Sequence, residues 1–151
     1  MKRYDKLIFV DKENTSISPM AEAIMQHRFL LEDILIESRG LVVLFPEPVN
    51  PKAEEVLSEE ELTMVDHTSI LFSEDDFDER TLILAMEQSQ KEKIYADFPE
   101  PINVFTLREY IGADADVSNP YGGSLDEYRA CRKQLEQMTG RLADILKQEE
   151  N

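Results

Sequence analysis

Two hydrophobic periods organise the chain. Short unbroken apolar runs read as buried strands, and longer stretches with apolar residues every three to four positions read as helices. Leu7, Ile8, Phe9 and Val10 form the first such run. It is too short for a helix and has no polar alternate face, which predicts a strand at residues 6–10 covered on both sides, as in parallel sheets. A polar loop follows. Helix signals then begin at Ser18-Pro19: serine is a good N-cap, proline suits the first helical position, and Glu22 is placed in the first turn, where the helix dipole favours acid. Ala21, Ile24, Met25, Phe29 and Leu31 continue the apolar face of that helix. Residues 34–38 read as a second strand, completing a right-handed strand–helix–strand unit.

The pattern continues downstream. Three prolines in residues 45–51 predict a loop. Residues 52–61 read as a helix with Ala53, Val56, Leu57 and Leu62 on one side. Residues 81–86, TLILAM, predict a third buried strand, residues 93–95 and 103–105 are short strand candidates, and the acids at 74–76 read as a helix start. Residues 125–147 predict a long amphipathic helix whose apolar positions include Tyr128, Cys131, Leu135, Met138, Leu142, Ile145 and Leu146. Alternating strands and helices imply an α/β fold with three layers, a parallel sheet between helices. A length of 151 residues suits one domain spanning 1–151, without repeat, low-complexity tract or linker.

Charge narrows the function classes. Lysine and arginine total 16 against 32 acids, a formal net charge of −16. Such a surface repels nucleic acid and anionic membrane, which bind through basic clusters. The acid runs at 54–61 and 74–79 read as solvated faces, with a basic protein partner or a divalent cation as the alternative. No apolar run approaches the ~20 residues that span a bilayer, and no leader pattern is present, so a cytoplasmic protein is expected. The single cysteine, Cys131, excludes an intrachain disulfide and reads as a small apolar residue in a helix.

The first strand, its loop and the helix start together form a ring of backbone N–H groups, an arrangement that binds phosphate in several folds. Here the loop carries Asp11 and Glu13 beside Lys12. At about 4 Å and an effective dielectric near 20, two unit charges interact by roughly 4 kcal/mol, so the two acids oppose a phosphate dianion more than Lys12 offsets. The expected outcome is that loop N–H groups bind the Asp11 carboxylate in place of an external anion.

This segment resembles the signature loop of the low-molecular-weight protein tyrosine phosphatases, a family that includes arsenate reductases. Its pattern is an apolar strand followed by C-x-G-N-x-C-R-S-P-M-A-E-A. Asn14, Ser18, Pro19, Met20, Ala21, Glu22 and Ala23 match it without gaps. Further matches are ESRG at 37–40, the strand at 81–86 and VSNPYGGS at 117–124, which resembles the family's D-P-Y-G segment. The resemblance covers nearly the whole chain and implies a four-stranded parallel sheet of the phosphotyrosine phosphatase I type.

It also implies roles that the present residues do not fill. The position of the nucleophilic cysteine holds Asp11, the loop glycine Glu13, the second loop cysteine Ser16, the phosphate-gripping arginine Ile17, and the general acid Asn119. Thiolate attack needs a thiol. Isoleucine offers neither donor nor charge to equatorial oxygens. An asparagine amide does not hand a proton to a leaving group at ordinary pH. The reading is a catalytically degenerate homologue with a binding or regulatory role, no cofactor, and a protein partner of unspecified identity.

The loop Asp11, Lys12, Glu13, Asn14, Thr15, Ser16, Ile17 and Ser18 is the candidate binding site, with Leu44, Phe45 and Tyr121 as its rim. Asn14 resembles the family's loop-bracing asparagine, a residue that tolerates unusual backbone angles. His67 aligns with a family histidine near the site mouth and reads as structural, while His27 lacks a spaced metal partner. The alternative is residual or metal-assisted phosphomonoester hydrolysis using Asp11. LIFVDKENT also resembles the D-x-D-x-T strand end of haloacid-dehalogenase-type phosphatases, with Asp11, Glu13 and Thr15 at those spacings. In that reading Asp11 and Glu13 hold magnesium or another divalent cation.

Overall fold

The computed structural model describes residues 3–28 and 34–149. Four parallel strands, β1 (Lys6–Asp11), β2 (Leu35–Gly40), β3 (Thr81–Ala85) and β4 (Val104–Thr106), form a sheet in the order β2-β1-β3-β4. The register pairs Phe9 with Ser38 on one side and Leu84 on the other, so β1 is central and its apolar run is buried on both faces. Helices α1 (Ile17–Arg28), α2 (Pro51–Ser58), α3 (Gln88–Asp97), α4 (Leu107–Ile111) and α5 (Leu125–Glu149) complete the architecture.

Alternation along β1 divides the core in two. Leu7 and Phe9 join Met20 and Met25 of α1 and Leu135 and Leu142 of α5 in the larger cluster. Ile8 and Val10 face the smaller one, with Ile83, Ile94, Val104 and Phe72. Phe72, Phe77 and Phe98 close that side as three edge-on rings with centroids 5.3–5.5 Å apart, a favoured geometry for the aromatic quadrupole.

Several local readings change. Helix α1 starts at Ile17, so Ser18 lies inside its first turn and Glu22 falls in the second. Pro19 remains compatible because the first four helical N–H groups have no intrahelical partner. Helix α2 is shorter than the pattern predicted and is capped by Asn50, whose Oδ1 accepts from Lys52 N at 2.8 Å. Residues 93–95 lie in α3 and not in a strand. Glu87 N donates to Gln90 Oε1 at 2.9 Å, which fixes that helix start, and Gln90 and Ile94 are its buried residues. The acids Glu74–Asp76 make a single 3₁₀ turn. Helix α4, absent from the sequence reading, is closed by a Thr106–Glu109 capping box and by Gly112 at φ 72°. Phe29 and Leu31, expected on the α1 face, lie outside the described residues. Among the described residues no helix is long and apolar enough to cross a membrane.

Candidate functional site

The carboxyl ends of parallel strands, where ligands bind in open α/β sheets, gather the β1–α1 loop, the start of α3 and the turn before α5. The loop is tied to the segment between β2 and α2. Leu41 N and Val42 N donate to the carbonyls of Asp11 and Lys12 at 3.1 and 2.8 Å, and Asn50 N donates to Thr15 O at 2.8 Å. Ser16 Oγ lies 3.2 Å from the Tyr128 hydroxyl, anchoring the loop to α5.

Asp11 turns back into its own loop. Its Oδ1 accepts from Asn14 N at 2.7 Å and its Oδ2 from Ser18 N at 2.9 Å. The side chain is nearly buried, at 5% exposure. Burial pushes its carboxyl above the ordinary range, the Ser18 and Asn14 bonds pull it back, and Glu13 adds a smaller push upward. The net direction is upward, so desolvation outweighs the donors.

Asn14 braces the other side. At φ 61° it occupies the left-handed region, where asparagine is several-fold enriched. Its Nδ2 donates to Ser18 Oγ and Ser38 Oγ at 2.8 and 2.9 Å, and its Oδ1 accepts from Ile70 N at 3.0 Å. His67 Nε2 is 2.7 Å from Asn14 O, so His67 supports the loop's outer wall. Ser38 Oγ donates to Glu22 Oε1 at 2.6 Å, and burial raises the Glu22 carboxyl. Gly40 passes so close that a Cβ there would sit 2.9 Å from the Glu13 carbonyl carbon.

Asp11, Lys12, Glu13, Thr15, Ser16 and Ile17 line a cavity of about 170 Å³. Asn119, Tyr121 and Gln90 complete its wall. Gln90 was missed in the sequence because the strand order, not a local motif, brings the start of α3 beside β1. Asn119 Oδ1 accepts from Tyr121 N at 3.0 Å, and Lys52 Nζ donates to Gly123 O at 2.6 Å, fixing this turn against α2. Ile17 lines the cavity yet is 2% exposed and belongs to the main core. Leu44 and Phe45 do not line this cavity. They border an adjoining groove of about 180 Å³ with Val42, Val43, Glu47 and Glu13. Glu13 is common to both depressions.

Cys131 is buried, and burial, with Asp11 nearby, pushes its thiol up to about 12. It offers no thiolate at neutral pH. Among the described residues no three histidine, cysteine, aspartate or glutamate side chains group as a metal site, so the structure adds no third ligand to Asp11 and Glu13. His27 is exposed on α1.

A β2-β1-β3-β4 parallel sheet with an N–H-lined loop between its first strand and first helix defines a phosphatase-type α/β fold. The family model described as low molecular weight phosphotyrosine protein phosphatase matches residues 6–151, and the chain belongs to this family. A protein-arginine-phosphatase of Geobacillus stearothermophilus is 33% identical over 147 residues, covering 96% of this chain and 98% of its own. The low molecular weight protein-tyrosine-phosphatase PtpB of Staphylococcus haemolyticus is 34% identical over 137 residues, covering 91% and 96%. Among solved structures, the YwlE arginine phosphatase from Geobacillus stearothermophilus superposes with a TM-score of 0.89 at 33% identity, covering 96% of this chain and 94% of that one. The low molecular weight protein tyrosine phosphatase from T. tengcongensis gives 0.87 at 31% identity, covering 92% and 97%. Family membership sets aside the haloacid-dehalogenase resemblance of the first strand.

Proposed function

We propose that this chain is a family member that has exchanged catalysis for binding, its anion cradle occupied by its own Asp11 carboxyl group. The observation that carries this reading is the pair of bonds from Asn14 N and Ser18 N to the two Asp11 oxygens. Those amides belong to the loop between β1 and α1 and are taken up by the Asp11 carboxyl group. Three chemical requirements of the family's reaction are also unmet by the residue types at the matched positions: Asp11 is no thiol, the Ile17 side chain has no donors, and the Asn119 amide is not acidic enough to protonate a leaving group. The relatives are named for removing phosphate from tyrosine or arginine in proteins, so a protein chain is the class of partner that the fold inherits.

The alternative, residual or metal-assisted hydrolysis by Asp11, needs a carboxylate that can reach phosphorus or a cation. Asp11 is 5% exposed and both its oxygens already accept hydrogen bonds. Hydrolysis of an aryl phosphate and of a phosphoarginine peptide, with and without magnesium, beside Asp11→Ala, tests the two readings. The binding reading predicts no turnover above buffer for either protein. Turnover that requires Asp11 would overturn it.

A further inference from the structure

The cavity beside Asp11 offers hydrogen-bond donors more than it offers charge. With the Asp11 carboxyl group taken up by the loop, the charges left on its wall are Lys12 and Glu13, one of each sign. Its volume of about 170 Å³ is smaller than the ~300–1,000 Å³ of sites for whole small molecules, and suits one side-chain head group. Gln90 lines it at 8% exposure; Oε1 accepts from Glu87 N, and among the described residues Nε2 has no acceptor. Polar groups buried to this degree are nearly always paired, so Gln90 Nε2 calls for an acceptor from outside the chain. Asn119 has its Oδ1 taken by Tyr121 N, and its Nδ2 is likewise unpaired among the described residues. In the loop wall, Thr15 N and Ser16 N donate to no group among the described residues. One acceptor accompanies these donors. The Glu13 carboxylate lines the cavity and forms no hydrogen bond or ion pair among the described residues.

We propose that this cavity takes the primary carboxamide of a glutamine or asparagine side chain presented by a partner protein, its carbonyl oxygen accepting from Gln90 Nε2 and the Thr15–Ser16 amides and its NH₂ group donating to Glu13. The inference rests on the binding reading above and names the group that the cavity recognises. A carboxamide carries two lone pairs and two N–H donors on one uncharged planar group. Charged head groups meet only part of the wall. Guanidinium and ammonium have no acceptor, so Gln90 Nε2 would stay unpaired. A carboxylate or phosphate brings no donor to Glu13 and is repelled by it. An alkyl head would cover donors and acceptor alike without pairing them, the costly outcome for buried polar groups. Ile17 and Tyr121 supply apolar wall for the methylene stem.

The test is an NMR titration of the full chain with pentapeptides that differ only at their centre: glutamine, asparagine, glutamate, lysine or methionine. The peptide backbone is common to all, so differences report the head group. The tighter of the glutamine and asparagine peptides is expected to shift the Thr15 and Ser16 amides and the Gln90 side-chain NH₂ saturably. It is expected to bind at least tenfold more tightly than the glutamate, lysine and methionine versions, and which of the two it is identifies the stem length. Gln90→Met and Glu13→Met are each expected to weaken it at least fivefold, while Glu47→Met, which removes a carboxylate from the adjoining groove, leaves it within twofold. Gln90 also fixes the start of α3, so Glu13→Met carries the test if Gln90→Met does not fold. Equal binding of the methionine peptide, no saturable shift with either amide peptide at millimolar concentration, or equal weakening by Glu13→Met and Glu47→Met would overturn the proposal. An aryl phosphate added to the same samples separates the two failures. Its hydrolysis would overturn the binding reading itself, whereas no hydrolysis with indiscriminate peptide binding would overturn only this inference.

Discussion

The amide of Ser18 donates to Asp11 Oδ2 at 2.9 Å although seven residues separate them. An aspartate at the end of a strand thereby accepts a first-turn N–H of the following helix, the task usually done by an N-cap side chain. Asn14 N makes the second bond. Replacing Asp11 by alanine leaves two buried donors unsatisfied, each costing about 1–3 kcal/mol. Urea denaturation of Asp11→Ala is expected to show a stability loss of about 2–6 kcal/mol for the two donors. A loss below about 1 kcal/mol would mean that the two bonds do not hold the loop.

Asn14 combines a left-handed backbone with three side-chain hydrogen bonds. Asn14→Gly keeps the backbone freedom and loses the bonds. Asn14→Ala loses both. At about 1 kcal/mol per net hydrogen bond and roughly 1–2 kcal/mol for a left-handed residue bearing a Cβ, alanine is expected to be the more destabilising by about 1 kcal/mol. Equal chemical-denaturation midpoints for the two variants would show that backbone strain is not part of the asparagine's role.

Burial raises the Asp11 carboxyl above its ordinary range. A carboxyl raised on folding contributes stability that is fully present below the unfolded aspartate value, near about 3.9, and is lost as pH rises through the folded value. Glu22, also raised by burial, acts in the same direction. Asp11→Asn has no proton to release there. The unfolding free energy of the parent minus that of Asp11→Asn is therefore expected to fall as pH rises above about 4 and then to level. A difference that grows with pH would reverse the sign assigned to this group.

Cys131 is 2% exposed in α5, and its thiol is pushed up to about 12. Since the thiolate is the reactive form, a thiol-specific disulfide reagent at neutral pH is expected to modify native protein only as it unfolds. Adding urea should raise the labelling rate in parallel with the unfolded fraction. Rapid labelling of the native chain would place Cys131 nearer solvent than its packing indicates.

The fold was legible wherever apolar period and length agreed: LIFV of β1, TLILA of β3 and the whole of α5. The loop was legible too, because Asn14 and the run from Ser18 to Ala23 mark its frame and the acid at Asp11 predicts its own capture. Helix α3 was not. It buries little beyond Gln90 and Ile94, so its apolar period is faint, and Ile94-Tyr95 locally resembles a strand. The helix is decided by Gln90 accepting from Glu87 N and by packing of Ile94 beneath the sheet. Placement of α1 was off by one turn for Glu22, since the cap comes from Asp11 and not from Ser18. The rim was divided for a similar reason. Leu44 and Phe45 are close to the loop in chain topology, but Glu13 stands between them and the Asp11 cavity, a separation that no one-dimensional spacing encodes.

The most direct measurement is calorimetric titration of inorganic phosphate into the parent chain and into Asp11→Ala, with folding of both verified beforehand. A cradle already filled by the Asp11 carboxyl group predicts no saturable heat from the parent at millimolar phosphate, and a binding isotherm once that side chain is removed and the Asn14 and Ser18 amides are free. Saturable binding to the parent at millimolar or lower phosphate, undiminished or weakened by Asp11→Ala, would contradict it.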